Sequence, residues 1–384
     1  MKILILSRGI PNSKDPQEGC FELDQAKALK AAGHDVTLMA VDSRVRKFWR
    51  NPGITKRVIE GITTYKLFLF PTSIIRHLIS FPFGIYIEVK EALSLYKYVT
   101  KKEGNFDLIH AHFLTNIFYA IKIKEAYGIP VVGTEHWSKV NTEHPTSDVL
   151  YMATEAYKNT NKLITVSKSL KDRIANNFSI SSKVIHNLID TSFLSSLCKT
   201  RNNVFTIALV GSLINRKGFD FFIKSFKKSK LSQKKVKVEI IGGGEEFHNL
   251  QSLIKKLGLE YKVYLRGQQN KSTIFNLLNQ SDMFILPSRN ENFSVSVLEA
   301  LANGLPVIAT ICGGIRECID ESNGLLVEVD NEEQMVTALE DMYDNYHRYD
   351  RRKIRENCLA LYSPENIAQQ INEVYESVID HSNV

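Results

Sequence analysis

Two glutamates, Glu291 and Glu299, stand eight residues apart in a stretch that predicts a strand end, a polar loop and a short helix. The stretch reads ILPSRNENFSVSVLEALANGLPVIATICGGIREC, and its helix is expected to begin near Ser294 or Ser296. Free N–H groups at such a helix start favour a phosphate, and carboxylates accept hydrogen bonds from hydroxyls. The pattern therefore favours a ligand with both groups, such as a nucleotide sugar. A solvated loop glutamate and an exposed helix glutamate are the alternative.

A second loop, GSLINRKGFD, offers the cations that a phosphate beside carboxylates would need. Gly211 ends a predicted strand, Gly218 begins a predicted helix, and Arg216 and Lys217 lie between them. This is the carboxyl end of a strand, where open α/β sheets bind ligands. Lys and Arg there would neutralise a diphosphate, with Arg the better bidentate partner. A solvated basic loop is the alternative.

A third strand end, IGGGEE around Gly243, is rich in glycine but lacks the Lys-Ser/Thr pair of a P-loop. Nucleotide hydrolysis through that motif is therefore not expected. The glycines allow a close approach of the backbone to a ligand, and a plain tight turn explains them equally well.

Three histidines, His110, His112 and His136, lie near the ends of predicted strands in the first half. The last two suggest a metal site, but no third ligand is spaced to join them, and a hydrogen-bonded structural role is the favoured interpretation. His136 carries more weight because Thr134-Glu135-His136-Trp137 breaks an apolar strand with polar groups. No Ser-His-Asp or Cys-His arrangement stands out.

Two α/β halves must position these residues. Strands are predicted at 2–7, 36–41, 107–112, 131–135, 163–167 and 183–188, with a hairpin over 58–70, and then at 206–210, 236–241, 263–266, 283–286, 307–309 and 325–327. Helical stretches separate them, which is typical of doubly wound parallel sheets. A polar connector over residues 190–203 joins the halves, and a cleft is expected between them.

Charge and cysteine content bound the class of protein. Residues 1–190 hold 26 Lys and Arg against 18 Asp and Glu, so the first half is basic and suits an acidic surface or ligand. The five cysteines are scattered and odd in number, which indicates a reducing cytosol. No apolar run approaches the length of about 20 residues that spans a bilayer.

The segment from Phe68 to Val99 suggests contact with a membrane surface. It contains the apolar FPFGIYI preceded by Arg76 and His77. Further basic residues lie upstream: Arg44, Arg46, Lys47, Arg50, Lys56 and Arg57. A basic patch beside an amphipathic helix binds anionic lipid, so weak peripheral attachment at the inner face of the cell membrane is a hypothesis. An ordinary core helix beside a solvated basic loop is the alternative.

Taken together, these motifs resemble the retaining glycosyltransferases of family 4, which have the GT-B fold of two Rossmann-like domains. The resemblance runs over nearly the whole chain. It is carried by PNSKDPQEGCFELDQAKALKAAGHDVTL, DLIHAH, TEHWS, VSKSL, HNLIDTSF, GSLINRKGFDFFI, IGGGEEF and LPSRNENFSVSVLEALANGLPVIATICGGIRE. The last contains the family's Glu-x7-Glu signature. The domains are then expected to be 1–195 and 196–363, with a final helix over 364–384 that crosses back to the first.

The family implies roles at matching positions. Glu291 would hold hydroxyls of the donor sugar, Glu299 the ribose, and His136 would lie near the transferred sugar. The candidate catalytic residues are Glu291, His136 and Lys217. The candidate donor-binding residues are Gly19, Gly211, Arg216, Lys217, Gly243, Phe293, Ser294, Val295 and Glu299. The family commonly has Arg after the glycine at 211, where this chain has Ser212. One diphosphate cation is therefore missing from its usual place, and Arg216 is the expected substitute.

The implied reaction moves a sugar from a UDP- or GDP-sugar to a hydroxyl of a glycan or lipid-linked saccharide, with retention and without a bound metal or cofactor. Such chains often build cell-surface polysaccharide, and no nucleic-acid partner is expected. A sugar-nucleotide epimerase and a non-catalytic sugar-nucleotide-binding protein are the alternatives. A nicotinamide-dependent dehydrogenase is disfavoured because no GxGxxG follows the first strand.

Overall fold

A computed structural model of the chain describes residues 1–12, 15, 18–44, 51–69, 81–197 and 204–380. Two compact units make up the chain: Met1–His186 with Pro364–Val384, and Asn187–Ser363. Residues 187–195, assigned above to the first domain, belong to the second unit.

The first unit contains an eight-stranded sheet in the order β3-β4-β2-β1-β5-β6-β7-β8. Its strands are β1 (Lys2–Leu6), β2 (Asp35–Asp42), β3 (Gly53–Ile59), β4 (Ile62–Phe68), β5 (Leu108–His112), β6 (Val131–Glu135), β7 (Lys162–Thr165) and β8 (Lys183–Val184). All neighbours pair in parallel except β3 and β4, which form the predicted hairpin. The central strands β1 and β5 are buried along almost their whole length, as strands covered on both faces must be.

Among the described residues, the helices of the first unit are α1 (Cys20–Ala31), α2 (Phe81–Glu103), α3 (Leu114–Tyr127), α4 (Ser147–Asn159), α5 (Lys168–Phe178) and, from the end of the chain, α12 (Pro364–Asp380). Helix α12 begins with Pro364, whose fixed φ and missing N–H suit a first helical position. Its buried residues recur at helical spacing: Ile367, Ala368, Ile371, Val374, Tyr375 and Val378. That apolar stripe packs against α1.

The second unit contains a six-stranded parallel sheet in the order β11-β10-β9-β12-β13-β14. Its strands are β9 (Phe205–Val210), β10 (Val236–Ile241), β11 (Val263–Leu265), β12 (Met283–Leu286), β13 (Val307–Thr310) and β14 (Gly324–Val327). Its helices are α6 (Phe219–Lys228), α7 (Phe247–Lys256), α8 (Lys271–Asn279), α9 (Val295–Ala302), α10 (Glu332–Asp344) and α11 (Arg351–Tyr362). The core lies between the sheet and helices such as α6, which buries its phenylalanines and exposes its lysines.

Each sheet reverses its strand order once. In the first unit the chain passes from β1 to β2 on one side and returns to β5 on the other. In the second unit the reversal lies between β9 and β12. Loops that follow the strands at such a switch point diverge and leave a crevice, where open α/β sheets bind ligands. The candidate residues of the second half follow β9, β10 and β12.

Two predictions differ from the structure in detail. The strand expected over 183–188 is only two residues long in β8. The sheet of the first unit is not wholly parallel, because the hairpin strand β3 closes one edge.

Part of the proposed membrane-facing segment, residues 70–80 with Arg76 and His77, lies outside the described residues, as do Arg46, Lys47 and Arg50. Of the other basic residues, Arg44 pairs with Glu18 and Asp42, and Lys56 pairs with Glu103 at 2.7 Å. Among the described residues, no helix has the length and apolar character needed to cross a membrane.

Candidate functional site

The loops after β9 and β12 meet at the switch point of the second sheet. The Lys217 ammonium forms an ion pair with Glu291 Oε1, although the two residues are 74 positions apart. Both side chains are largely shielded, 14 % exposed for Lys217 and 9 % for Glu291. The Ser288 hydroxyl also donates to Glu291 Oε1 at 2.8 Å. Two of the three candidate catalytic residues are therefore brought into direct contact.

The neighbouring arginine, Arg216, lies at the same place. Its guanidinium donates to the Asn290 carbonyl at 2.6 Å and stands 3.9 Å from Glu291 Oε2. Its side chain is 38 % exposed, so it keeps access to solvent and to a ligand. The side-chain oxygen of Asn290 is buried without a hydrogen-bond partner in the described part of the chain.

Arg289 ties the two loops together. Its guanidinium donates to both carboxylate oxygens of Asp220 at 3.0 and 3.2 Å, to Asp330 at 2.9 Å and to the Asn215 carbonyl at 2.6 Å. Its main-chain N–H donates to the Arg216 carbonyl at 2.8 Å. A planar guanidinium can serve several such acceptors at once, so this residue fixes the cationic loop against the loop of Glu291.

The main chain of Glu291 is held from the opposite side by the turn after β13. Gly313 has φ +55°, and a Cβ built on it would lie 1.7 Å from the Glu291 carbonyl oxygen. The next N–H, that of Gly314, donates to the Asn292 carbonyl at 3.0 Å. Thr310 adds a hydrogen bond from its hydroxyl to the Ser288 carbonyl. The sequence of this turn therefore determines where the loop of Glu291 lies.

Helix α9 begins beside this loop, at Val295 with Ser294 as the capping position. The Ser294 hydroxyl pairs with the Ser296 hydroxyl at 3.0 Å, and the Ser294 side chain makes no capping hydrogen bond to the first turn. The N–H groups of a first turn have no partner within their own helix. This helix start therefore suits the phosphate predicted for it. Glu299 lies half-buried in the second turn.

The segment that leads into α9 is anchored by Asn187. Its amide donates to the carbonyl of Phe293 at 3.1 Å, and the buried Phe293 ring packs on Tyr362 with centroids 5.7 Å apart. Asn187 had no clear role in the sequence. Here it holds the residue before the capping position.

The glycine loops after β9 and β10 lie side by side. The N–H of Gly211 donates to the Ile241 carbonyl at 3.0 Å, and the N–H of Leu213 donates to the Gly243 carbonyl at 2.9 Å. The Lys217 side chain lies beside Gly211, since a Cβ added at Gly211 would be 3.7 Å from Lys217 Cε, an ordinary van der Waals distance. Gly211 and Gly243 therefore belong to the same edge of the sheet as the cations.

In the first unit, His136 follows β6 and contacts His112 from the neighbouring β5. His136 Nε2 and His112 Nδ1 are 3.0 Å apart, and the rings meet edge to edge with their planes inclined by 15°. Burial lowers the pKa of His112 to about 3, so this imidazole is neutral at ordinary pH. Groups of three or more potential metal ligands do not occur among the described residues.

The main chain at His136 is held by Glu135, a buried carboxyl group. Glu135 Oε1 accepts the N–H groups of His136 at 2.9 Å and of Trp137 at 2.7 Å, while Oε2 accepts the Tyr157 hydroxyl at 2.6 Å. Burial raises the pKa of Glu135 to about 7 in spite of these hydrogen bonds. The last residue of a buried strand thus fixes the loop that follows it.

Gly19 precedes α1 in the left-handed conformation, with φ +70°. A Cβ at this position would lie 2.0 Å from the Gly9 carbonyl oxygen, so the two ends of the polar loop after β1 are in contact. That loop follows a strand at the switch point of the first sheet. Gly19 and His136 both belong to the first unit, and the remaining candidates belong to the second.

Several residues that build the site were not predicted. Ser288, Arg289 and Asn187 lie within the quoted motifs but were given no role, and Glu135 reads as the polar end of a strand. A usable signal exists for Glu135, since a carboxylate at the end of a buried apolar strand needs partners. Ser288 bonds to Glu291 within its own loop, whereas Arg289 and Asn187 act through contacts that only the tertiary fold creates.

Comparison with known families agrees with this architecture. Residues 199–358 match the family model described as glycosyl transferases group 1, and residues 23–193 match that of glycosyltransferase family 4. The two matches follow the two α/β halves and together span most of the chain. The protein therefore belongs to the glycosyltransferases of the group 1, family 4 type.

Individual proteins extend the likeness over the chain. An uncharacterized glycosyltransferase of Methanocaldococcus jannaschii is 26% identical over 302 residues, 72% of this chain and 76% of that protein. The structure of sucrose-phosphate synthase from Thermosynechococcus elongatus superposes with a TM-score of 0.82 at 17% identity, covering 99% of both chains. HepE of Anabaena, in complex with UDP-glucose, superposes with a TM-score of 0.73 at 18% identity, covering 98% of this chain and 100% of that one. The fold is thus that of the GT-B glycosyltransferases.

Proposed function

We propose that this glycosyltransferase moves a sugar, with retention of the anomeric configuration, from a UDP- or GDP-sugar to a hydroxyl of a glycan or lipid-linked saccharide. The observation that carries the proposal is the Lys217–Glu291 pair beside the uncapped start of α9. The pair and the helix start together place a cation, a carboxylate and free backbone N–H groups at one switch point. A diphosphate linked to a sugar needs these three kinds of partner. The solved structure of HepE with UDP-glucose supports a nucleotide-sugar donor.

The donor diphosphate would lie at the start of α9. An ammonium group has three N–H donors, and the pair with Glu291 uses one of them, so Lys217 can bind a phosphate oxygen without leaving Glu291. Arg216 is the second cation in reach of the same loop. These groups are already in place to stabilise the charge that develops on the leaving diphosphate. Such preorganised electrostatic stabilisation is usually the largest single contribution to lowering the barrier.

The carboxylates would bind hydroxyls: Glu291 those of the sugar and Glu299 those of the ribose. In the proposed reaction the acceptor oxygen bonds to the anomeric carbon on the face from which the diphosphate leaves. The departing phosphate oxygen takes the acceptor proton. No enzymic nucleophile is invoked. His136 is the candidate for a contact with the transferred sugar, and Gly19 for the donor phosphates.

Incubation with a panel of UDP- and GDP-sugars tests the proposal. We expect nucleoside diphosphate to be released with one donor class, faster with an acceptor, and NMR of the product to show the donor's anomeric configuration. Inversion would refute retention. Conversion of donor without release of diphosphate would instead identify an epimerase, and binding without turnover would identify a binding protein.

We also propose that the reaction needs no bound metal, because Lys217, Arg216 and the start of α9 can neutralise the diphosphate. Activity should then survive EDTA treatment. A loss of activity that Mg²⁺ or Mn²⁺ restores would contradict this.

We further propose weak peripheral attachment of this chain to an anionic membrane at the cytoplasmic face, as in cell-surface polysaccharide synthesis. The edge strand β3 supports it, because Ile54, Lys56 and Val58 stand at alternate positions on one face of the strand and are all exposed, with Val58 67% exposed. Flotation with vesicles containing anionic lipid at low salt is expected, and salt should reverse it. Failure to float at low salt would refute the attachment.

A further inference from the structure

Three imidazole rings are in contact inside the first unit. His110 and His112 form a stack with ring centroids 4.5 Å apart, and His112 meets His136 edge to edge, with centroids 5.2 Å apart and planes inclined by only 15°. His110 and His112 are fully buried. The contacts therefore run from the interior to the one ring, His136, that is a candidate for contact with a sugar.

The inner end of the stack is anchored on both sides. His110 Nδ1 bonds to the Tyr375 hydroxyl and His110 Nε2 to the Thr134 hydroxyl, each at 2.6 Å. Tyr375 lies on α12 and is fully buried. Both ring nitrogens of His110 are thereby used, so its ring cannot turn without breaking a hydrogen bond. His112 stacks on a fixed surface.

The fully buried His112 ring has a hydrogen-bond partner at only one of its two nitrogens in the described part of the chain. Its Nε2 is buried and has no hydrogen-bond partner in the described part of the chain, while its Nδ1 bonds to His136 Nε2 at 3.0 Å. A buried nitrogen without a partner is unfavourable, and a phenyl ring would fill much of the same space without one. What an imidazole adds at this position is the bond to His136.

The His136 ring also contacts Phe113. The two ring centroids are 5.0 Å apart. Phe113 has φ +66° and ψ +145°, a conformation that is costly for any residue with a Cβ, and its N–H donates to the Thr134 carbonyl at 2.9 Å. The strained backbone places this ring against His136. His136 is thus enclosed by His112 and Phe113, with its main chain held by Glu135.

We propose that His112 is a positioning residue for His136: its Nδ1 holds one nitrogen of the His136 ring and thereby selects the tautomer and the ring plane that meet the transferred sugar. This inference rests on the proposed function, in which His136 contacts the transferred sugar. The contact itself is independent of that role. His112 touches no substrate.

The test uses three variants of the full-length protein. His112→Phe keeps a ring in the stack and removes the hydrogen bond. His112→Asn places an amide close to the position of Nδ1 and serves as the conservative rescue. His34→Phe is the matched control, since His34 is another buried histidine of the same unit that contacts Tyr375, with ring centroids 5.9 Å apart.

The first readout is independent of activity. In protein labelled with ¹⁵N-histidine, we expect the His136 ring nitrogens to report one dominant tautomer in the parent and in His34→Phe. They should report a mixture in His112→Phe and a return towards one tautomer in His112→Asn. An unchanged tautomer in His112→Phe overturns the proposal, even if the protein transfers no sugar.

The second readout is turnover of the sugar nucleotide. We expect His112→Phe to lower kcat by about 10- to 100-fold, the usual range for losing a partner that orients a functional histidine, with the KM for donor within about twofold. His112→Asn should recover part of kcat. A kcat equal to that of His34→Phe overturns the positioning role. Should His112→Phe not fold, the tautomer and kcat of His112→Asn, compared with those of His112→Ala, decide in the same way.

Discussion

At the scale of single residues, Lys217 is the group whose removal should be most costly. It is the cation nearest to Glu291, and the leaving diphosphate would need its charge in the transition state. We expect Lys217→Ala to lower kcat by about 10²- to 10³-fold, as the loss of a preorganised electrostatic partner does. Lys217→Arg should recover part of it. Steady-state release of nucleoside diphosphate measures the effect.

The matched control for that change is Lys224→Ala. Lys224 lies on α6 of the same unit, is 46% exposed and pairs with Asp220 at 3.4 Å, outside the Glu291 loop. An exposed pair of this kind contributes about 1 kcal/mol or less to stability. Equal losses of activity in the two variants would contradict the role of Lys217.

Glu135 should make the stability of the first unit depend on pH. Burial raises its pKa from 4.5 to about 7, so between these values the folded state binds the proton more tightly than the unfolded state. The resulting contribution of Glu135 to the free energy of unfolding is on the order of 3 kcal/mol. It is fully present below about pH 4.5 and is lost as the pH rises through 7. Buried His112, whose pKa is lowered, acts with the opposite sign below about pH 6.5.

Comparison of the parent with Glu135→Gln isolates the contribution of Glu135, because both proteins keep His112. The difference in unfolding free energy, parent minus variant, should fall as the pH rises from 4.5 to 7. Urea denaturation at a series of pH values measures it. Parallel stability curves for the two proteins would mean that Glu135 is not protonated in this range.

The sequence identified the types of these residues better than their contacts. Lys217 and Glu291 were predicted because each follows an apolar strand in a polar loop, and local pattern is enough for that. Their ion pair depends on β9 and β12 being neighbours across 74 residues. Strand order follows from packing of the whole unit, which a local pattern does not encode. Asn187 and Arg289 were missed for the same reason.

At the scale of elements, the turn after β13 sets the position of the loop before α9. Gly313→Ala should disturb it, since the new Cβ would lie 1.7 Å from the Glu291 carbonyl oxygen and φ is +55°. We expect a loss of about 1–3 kcal/mol in the stability of the second unit, the usual cost of such backbone strain. Affinity for nucleoside diphosphate should also fall. Calorimetry of binding and of unfolding measures both effects.

Gly243→Ala is the control for folding in that experiment. It introduces the same methyl group at a glycine of the same unit, where the nearest atom, the Gln268 Cβ, would lie at an ordinary 3.6 Å. Its unfolding midpoint should match that of the parent. A Gly313→Ala protein as stable as Gly243→Ala would show that the turn yields easily and does not position Glu291.

The accuracy of the predicted elements follows the strength of their local signals. Strands β10 and β12 were predicted with the bounds that the structure has. β12 is a continuous apolar run, as burial on both faces requires, and β10 is apolar apart from Lys237 and Glu239. β8 is shorter than predicted, since only two of its residues pair with β7. After β13 the chain forms only a short 3₁₀ helix, Gly313–Glu317, before Cys318.

At the scale of the whole molecule, the chain leaves the first unit after His186 and returns to it at Pro364. Helix α12 is thus a distant segment that completes the first unit. Burying a large apolar side chain is worth roughly 1.5–3 kcal/mol, and α12 buries several, whereas the net stability of a domain is only about 5–15 kcal/mol. Tyr375 also anchors the histidine stack. The first unit should therefore depend on α12.

Deletion of residues 364–384 tests this dependence. We expect hydrogen exchange to increase throughout α1, β1 and β5, because the first helix loses its packing partner and His110 loses Tyr375. Exchange in β9, β10 and β12 should stay within the range of the parent, since α12 is not part of the second unit. Glu373→Ala, which removes only an exposed ion pair with Lys183, is the control. Equal protection of α1 in the deleted and parent proteins would show that the first unit folds without its C-terminal helix.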